Sequence, residues 1–446
     1  MNILYIHTHD TGRYIQPYGY PVQTPNLMEL AKESTLFRNA YCAGPTCSPS
    51  RASLLTGMAP HSNGMVGLAH RGFSLHDYKQ HLAHILSDNG YETALCGIQH
   101  ETEDLSLLGY RRILGNQEYS MGKCDEDWHA FDVNNARVTA EYIKESHDKP
   151  FFLSFGMFST HRKFPNPDGS VNPDYVLPPS TVFDNPENRR DMAGFLTMAK
   201  TADECVRIVM DALRKSGEED NTVVIFTTDH GIAFPQNKCN LYDTGIGVSL
   251  MIKYPGNQLR GKATDALVSQ VDLIPTLCEL CSIKPMDYLQ GVSLVPLLEG
   301  KTDKVRNEVF SEVTYHVAYE PMRCIRTERY KLIRYFGGYN FSMPSNTDDS
   351  PSKTMLMKNG FFERPREKTM LFDLYMDPLE RVNVAQEPEY AAIFRELSDK
   401  LMVWMEQTGD PLLNGKVIPP DGALVNYPQS ASPAEKVFIK NWEDLL

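Results

Sequence analysis

No apolar run in this 446-residue sequence approaches the roughly 18 residues that a membrane-spanning helix needs. The first residues, Met1-Asn2-Ile3-Leu4-Tyr5-Ile6, carry no basic segment and are too short for the apolar part of a secretion signal. The expectation is a cytoplasmic chain with no membrane partner. Positive charge is scarce, with 44 Lys and Arg against 57 Asp and Glu, a formal net charge of −13. That balance argues against a general nucleic-acid binder. Any positive charge meant for an anionic ligand must be gathered locally in a pocket. Cysteine pairing is also lacking. Nine cysteines lie scattered at 42, 47, 96, 124, 205, 239, 278, 281 and 324, an odd number, and a chain this long builds a core without disulfides. The one Cys-x-x-Cys pair, Cys278 and Cys281, has no second ligand pair nearby to complete a zinc site. It reads as two buried thiols on adjacent helical turns. Internal repeats and low-complexity blocks are absent. A hydrophobic content of 41% with 23% charged residues excludes a disordered or fibrous chain.

What is present is alternation. Short apolar runs at 3–7, 93–96, 151–155, 222–227 and 248–252 read as strands. Between them, 25–34, 78–88, 138–144 and 191–216 carry helical spacing. Pro25 sits at a helix start and Asn89-Gly90 at a helix stop. Continuous apolar strands separated by helices predict a mostly parallel α/β sheet buried on both faces. The pattern changes near residue 305. Closely spaced strands at 308–313, 323–327 and 331–335 predict an antiparallel meander, followed by an amphipathic helix over 393–406 that packs through Leu397, Leu401 and Trp404. The expected organisation is a catalytic α/β domain over 1–305, a small antiparallel sheet with a helix over 306–410, and an extended arm over 411–446. That tail is rich in Pro, Gly, Asn and Ser and looks short of ways to bury itself on its own core, which suggests a homo-oligomer with exchanged arms. The polar stretch 345–353 reads as a surface loop.

In parallel sheets, ligands gather beyond the carboxyl ends of strands. After the first strand come His7, His9 and Asp10, and after 222–227 come Thr228, Asp229 and His230. Two acid–imidazole pairs at two strand ends are the ligand types for a divalent cation. His7 reads as a core or supporting histidine. A third feature is Cys47-Ser48-Pro49-Ser50-Arg51-Ala52-Ser53-Leu54-Leu55-Thr56-Gly57. Pro49 lies in the first turn of a helix, so Cys47 is near the helix N-terminus, where free N–H groups favour an anion. Arg51, one turn on, can reach back to the same anion. Thr56 and Gly57 read as helix-end structure.

Cys-x-Pro-Ser-Arg followed by Leu-Thr-Gly resembles the signature of the type I sulfatases. Asn63-Gly64-Met65, Pro150–Leu153, Thr160-His161-Arg162, Val224–Thr227, Gly231-Ile232, Phe234-Pro235 and Asn240-Leu241-Tyr242 are similar to the sulfamidase branch of that family. The resemblance spans residue 3 to about 404. It implies an alkaline-phosphatase-like α/β sandwich with a small C-terminal antiparallel sheet. It also implies that Cys47 is converted by a formylglycine-generating enzyme to formylglycine, whose hydrate is the nucleophile. Asp10 and Asp229 match family metal carboxylates. His9 falls where the family has another metal Asp, and His230 where it has a metal Asn; Cys47 joins this metal set. His100 matches the end of the family's Gly-Lys-x-His segment, His161 the histidine facing the leaving group, and Lys238 the basic residue that grips sulfate. The segment Gly97-Ile98-Gln99-His100 lacks the Lys, so one anion contact is missing or comes from elsewhere. Calcium is the family metal; imidazole at 9 and 230 suits manganese, zinc or iron.

The implied substrate is a sulfated sugar, as a sulfate ester or as an N-sulfate such as glucosamine N-sulfate. The Asp229-His230 pair also resembles phosphonate monoester hydrolases of the same superfamily, which leaves a phosphonate or phosphodiester hydrolase as the alternative. A non-catalytic binding protein on the same fold is opposed by the intact Cys47–Arg51 motif and both metal pairs. Arg162 and Lys163 read as anion contacts or as solvated charges. Tyr315, His316, Arg323 and 339–343 are candidates for reading the sugar, and His61 and His70 follow the Cys47 helix without an assigned role.

Overall fold

The computed structural model describes residues 1–116 and 128–442; Cys124 lies outside the described residues. The larger sheet contains β1 (Asn2–Thr8), β2 (Thr35–Tyr41), β3 (Glu92–Gly97), β4 (Arg112–Leu114), β5 (Phe151–Gly156), β6 (Thr222–Thr228), β7 (Gly247–Val248), β8 (Leu250–Lys253) and β9 (Lys262–Ser269). Its order is β4-β3-β5-β1-β6-β8-β2-β7, with β9 paired to β2. From β4 through β6 every pairing is parallel. β1 is central, with Ile6 opposite Phe155 on one side and Phe226 on the other. All seven of its residues are buried, which is why its sequence is apolar without alternation. The two faces still divide by the strand period. Ile3 and Tyr5 join the core under helices Cys47–Thr56 and Leu273–Leu280. Leu4 and Ile6 join the core under helices Trp128–Lys144 and Pro186–Ser216.

Sequence and structure differ at several elements. The run 248–252 is two short strands, β7 and β8, both antiparallel to β2. Apolar composition predicts burial but not strand direction. The long helix starts at Pro186 rather than 191, because Asn185 caps it by accepting from the Asn188 amide at 2.8 Å. The 78–88 pattern is broken at His81, whose ring accepts from the Ala83 amide at 3.1 Å and starts helix Leu82–Asp88. Cys278 is buried, Cys281 half-buried, and both are free thiols.

The second sheet runs β10 (Glu308–Tyr315), β11 (Tyr319–Thr327), β12 (Tyr330–Tyr335) and β13 (Thr369–Asp373), antiparallel throughout. Helix Ala391–Thr408 covers it with Leu397, Leu401 and Met405 buried, and Trp404 stacks on Phe310. Two expectations fail in this region. The stretch 345–353 is no surface loop: Ser345, Asn346, Ser350, Ser352 and Lys353 are buried, and Pro351 opens helix Pro351–Lys358. The tail after Asp410 does find partners in its own chain. Leu412, Val417, Ala423, Val425 and Ile439 enter the core of the second sheet, and Arg71 holds Asn426 through both terminal nitrogens at 3.0 and 2.8 Å. The argument for an exchanged arm therefore loses its premise. Among the described residues no helix is long and apolar enough to cross a membrane.

Candidate active site

β1 and β6 are parallel neighbours in register, Thr8 opposite Thr228, so their following residues emerge side by side. Asp10 adopts φ 54°, in the left-handed region, and its amide donates to Asp229 Oδ1 at 2.8 Å. One backbone bond thus aims both carboxylates at the same point. Gly231 is required beyond them, since a Cβ there would lie 1.9 Å from the Thr244 carbonyl oxygen.

Helix Cys47–Thr56 is buried at all ten positions. Its polar residues explain how it tolerates that. Ser50 Oγ donates to the Asp229 carbonyl at 2.5 Å, and Ser48 Oγ accepts from the Ala69 amide at 3.0 Å. Thr56 Oγ1 donates to the Ala52 carbonyl at 2.7 Å, and Gly57 ends the helix at φ 69°, the structural roles expected of both. Arg51 lies 2.9 Å from Asp229 Oδ2, donates to the Thr8 carbonyl at 3.1 Å, and lies 2.6 Å from His7 Nδ1. His7 is the supporting histidine the sequence suggests. One terminal nitrogen of Arg51 thus holds Asp229 and the Thr8 carbonyl, the other lies against His7, and its Nε is buried without a hydrogen-bond partner.

The predicted metal residues converge. His9 Nδ1 lies 2.7 Å from Asp10 Oδ1 and 3.2 Å from Asp229 Oδ2. His230 Nδ1 is 2.9 Å from the Gly231 carbonyl, which can only accept, so Nδ1 carries a proton and Nε2 is the nitrogen turned to the cluster. That Nε2 has no hydrogen-bond partner, and faces Asp10 Oδ1 at 3.4 Å and Asp229 Oδ2 at 3.7 Å. A buried nitrogen facing two carboxylates without a hydrogen bond leaves all three groups open to a cation placed between them. Ligand atoms of Asp10, Cys47, Asp229 and His230 lie within 4.8 Å of one another, as do those of His9, Asp10, Cys47 and His161. This donor set fits a divalent cation.

Lys238 and His161 close the other side. Lys238 Nζ donates to Asp10 Oδ2 at 2.9 Å and lies 3.5 Å from His161 Nε2. The loop carrying His161 is pinned by Asp132, which accepts from the amides of Phe158 at 2.7 Å and Ser159 at 2.9 Å. Burial and the Lys238 charge draw the His161 pKa down to about 3. Burial works against ionised Asp10, but Lys238 and His161 hold its carboxyl well below the usual range. Burial pushes the Cys47 thiol up, so its thiolate is scarce at neutral pH. His100, at φ 85°, lies 5.6 Å ring to ring from His9 and 3.2 Å by Nε2 from Nδ1 of exposed His70.

Other candidates fall elsewhere. Arg162 is bidentate to Asp191 at 2.8 and 2.6 Å and lies over Phe164 and Phe234, so it is neither solvated nor an anion contact. Tyr315 is buried and donates to the Val417 carbonyl at 2.5 Å. Arg323 and His61 belong to a separate buried ion cluster. Ile98 packs against Trp128, Phe131 and Phe158, so no cation replaces the family Lys at that position. Asp348, from the misread 345–353 stretch, reaches Lys238 with its Oδ2 3.3 Å from Nζ. No periodicity marks Asp348 in the sequence; the Asp348-Asp349 doublet in a polar stretch was its only signal.

Comparison with known proteins agrees with this geometry. Residues 1–283 match the Sulfatase family, and residues 230–355 match the family described as N-sulphoglucosamine sulphohydrolase, C-terminal. The human N-sulphoglucosamine sulphohydrolase is 31% identical over 90% of this chain and 88% of its own. A solved structure described as a complex with its substrate D-glucosamine-2-N,6-O-disulfate superposes with TM-score 0.72 at 20% identity, over 93% of this chain and 99% of that one. A phosphonate monoester hydrolase of Agrobacterium radiobacter shares the fold, with TM-score 0.67 at 19% identity, over 91% of this chain and 96% of that one. On the family match, the relative's identity and the shared alkaline-phosphatase-type fold, this chain belongs to the sulfatase family and is a sulfuric ester hydrolase.

Proposed function

We propose that this sulfatase acts on a sulfated sugar, as a sulfate ester or a glucosamine-type N-sulfate, through a formylglycine at position 47 and a divalent cation. The observation that carries this reading is the convergence of Cys47 with His9, Asp10, Asp229 and His230 at the ends of β1 and β6. These residues would hold the cation, which supplies Lewis-acid polarisation of a sulfuryl oxygen when bound. A high-pKa thiol is a poor nucleophile, and a thiosulfate formed on it would have no easy exit. A hydrated aldehyde avoids both difficulties. One of its hydroxyls attacks sulfur, and loss of the proton from the other expels sulfate as the aldehyde re-forms.

The other side chains have separable roles. Lys238 neutralises charge on the sulfuryl oxygens. Arg51, bonded to Asp229 Oδ2, keeps that carboxyl ionised against its burial. His161 faces the leaving group, with Nδ1 2.5 Å from the Arg162 carbonyl, so neutral His161 presents Nε2 as an acceptor. To protonate a departing oxygen or nitrogen it must first take up a proton on Nε2, while the Lys238 ammonium at 3.5 Å keeps its charge for the sulfuryl oxygens. His100 takes the proton from the second hydroxyl, and exposed His70 beside it carries that proton to solvent.

The first test is the mass of the peptide containing Cys47, from protein made alongside a formylglycine-generating enzyme. An aldehyde is expected; an intact thiol would remove the nucleophile. Relative turnover of a sulfate ester, a sulfamate and a phosphonate monoester then separates the readings. The phosphonate alternative is favoured by one observation, the imidazole of His230 beside Asp229. A phosphonate preference would establish it over the sulfated sugar.

A further inference from the structure

The helical turn Ala69–Arg71 carries His70, the imidazole stacked on His100. The two rings are parallel within 6° at 5.3 Å, with His70 Nδ1 3.2 Å from His100 Nε2. His100 Nδ1 has no hydrogen-bond partner among the described residues, so the hydrogen bond that orients this ring is the one to His70. The turn itself is fixed at both ends. Ahead of His70, the Ala69 amide donates to Ser48 Oγ at 3.0 Å, on the Cys47 helix. Behind it, Arg71 is held by the tail of the chain. The Leu424 amide donates to the Arg71 carbonyl at 2.9 Å, and one terminal nitrogen of Arg71 donates to the Leu424 carbonyl at 2.8 Å. Both terminal nitrogens donate to Asn426 Oδ1, at 3.0 and 2.8 Å. These acceptors are neutral. Arg71 is 7% exposed, and a buried guanidinium held without a carboxylate depends on such bonds for its place. Gly72, at φ 89°, lets the tail come this close, since a Cβ there would lie 3.0 Å from the Ala423 Cα.

Asn426 is the junction of these segments. Its backbone amide donates to the Val317 carbonyl at 2.8 Å, in the turn between β10 and β11, and its Nδ2 donates to the Glu435 carbonyl at 2.9 Å. It is 0% exposed. One side chain therefore ties the His70 turn to the second sheet and to the returning tail. Without it, two nitrogens of Arg71 lose their shared acceptor, and the turn keeps only its Ser48 and Leu424 bonds. We infer that Asn426 is a positioning residue for the step that frees sulfate: by anchoring Arg71 it holds His70, and His70 holds His100. In that step the proton of the second hydroxyl on residue 47 goes to His100. The O–H electron pair forms the C=O bond, and sulfate leaves with the pair of the broken C–O bond. The inference rests on the formylglycine route and on the role given there to His100, and it adds the residue that keeps this histidine aligned.

The test is aryl sulfate turnover by the metal-loaded, formylglycine-bearing protein, with acid-quenched samples digested and the residue-47 peptide weighed. Asn426→Ala is expected to lower kcat about tenfold and to leave kcat/KM within about threefold, because sulfuryl transfer to residue 47 comes before the slowed step. The sulfated form of the residue-47 peptide should accumulate. Asn426→Asp still offers one acceptor to both nitrogens of Arg71 and should return kcat to within about threefold of wild type. In a His70→Ala background, Asn426→Ala should cost less than about twofold more, since both act on the same imidazole. An unchanged kcat overturns the inference. So does an equal fall in kcat and kcat/KM without sulfated peptide, or a full further loss on His70→Ala. Arg71→Lys, which keeps the charge and loses the two-nitrogen grip, is read in the same way if Asn426→Ala does not fold. Ring 15N spectra of the resting protein separate this inference from its parent. An intact thiol at 47, with His70 and His100 resonances that move in Asn426→Ala, would count against the formylglycine route and leave the anchoring standing. Resonances that stay in place would overturn the anchoring whatever the state of residue 47.

Discussion

The cluster beyond β1 and β6 and the cluster of His61, Glu312 and Asp410 are built from the same residue types, and both are buried. Only the first has a place for a cation. In the second, Arg323 fills that place. Its Nε lies 2.9 Å from Glu312 Oε2 and 2.5 Å from Asp410 Oδ2, and one terminal nitrogen donates to Asp410 Oδ1 at 3.0 Å. The other terminal nitrogen donates to the Val313 carbonyl at 3.0 Å and to Thr314 Oγ1 at 3.2 Å. His61 Nδ1 lies 2.5 Å from Glu312 Oε2, and its ring meets Trp404 edge-on. In the first cluster Lys238 holds the far oxygen of Asp10, and Arg51 touches only Asp229, at the Oδ2 that also faces His9 and His230. Asp10 Oδ1 and Asp229 Oδ2 both face the Nε2 of His230, which has no hydrogen-bond partner. Proximity of ligand-type residues is therefore a weak sign of a metal site: in the second cluster one arginine bonds both carboxylates, whereas in the first Arg51 bonds one carboxylate and Asp10 Oδ1 faces only imidazole nitrogens.

The comparison can be broken most forcefully at Asp229. Asp229→Ala should remove bound metal and lower turnover by about 10³-fold or more. Glu312→Ala should leave metal content, read by elemental analysis, unchanged. Equal metal loss in both variants would mean that the two clusters are not different in kind. Glu312→Ala should instead cost about 3–5 kcal/mol of stability in denaturant unfolding, because Arg323 is left buried with one carboxylate. A smaller effect belongs to Lys238. Lys238→Ala is expected to lower turnover about 10²–10³-fold, about 3–4 kcal/mol of transition-state stabilisation, with metal retained. Near-full turnover would remove it from the anion clamp.

The smallest effect sharpens the boundary of the first cluster. Glu101 is buried beside Arg51, and burial raises its pKa to about 7 despite that arginine, against an ordinary 4.5. The folded protein thus keeps a proton that the unfolded chain gives up between those values. The stabilising contribution of the neutral carboxyl is complete below pH 4.5 and is lost as pH rises through 7. Glu101→Gln should match wild type below pH 4.5 and exceed it by about 3 kcal/mol at pH 8, read from unfolding curves. Identical pH profiles for the two proteins would mean that Glu101 is ionised in the fold.

Much of this was legible in the sequence. The central strands β1, β5 and β6 announce themselves because burial on both faces forbids polar alternation. The Cys47 helix and the two acid–imidazole pairs are short local patterns whose chemistry needs no knowledge of the fold. β2 was missed because Arg38 and Asn39 interrupt its apolar run, and β9 because its first four residues are at least partly exposed. Tyr315 and Arg323 show the opposite failure. A charged or phenolic residue near a motif suggests ligand contact, yet each is consumed by long-range partners that sequence spacing does not display. Asp348 is the clearest gap, since its role depends on Asn346 gripping a turn almost 30 positions earlier.

The burial of every residue from Cys47 to Thr56 also constrains the order of events in the cell. A modifying enzyme needs an extended peptide around its target, and this helix offers none once the sheet has closed over it. On the proposed formylglycine route, conversion of Cys47 precedes folding, so the fate of each molecule is settled during synthesis. On that route, protein that folds unmodified is a finished product that later exposure to the modifying enzyme does not rescue.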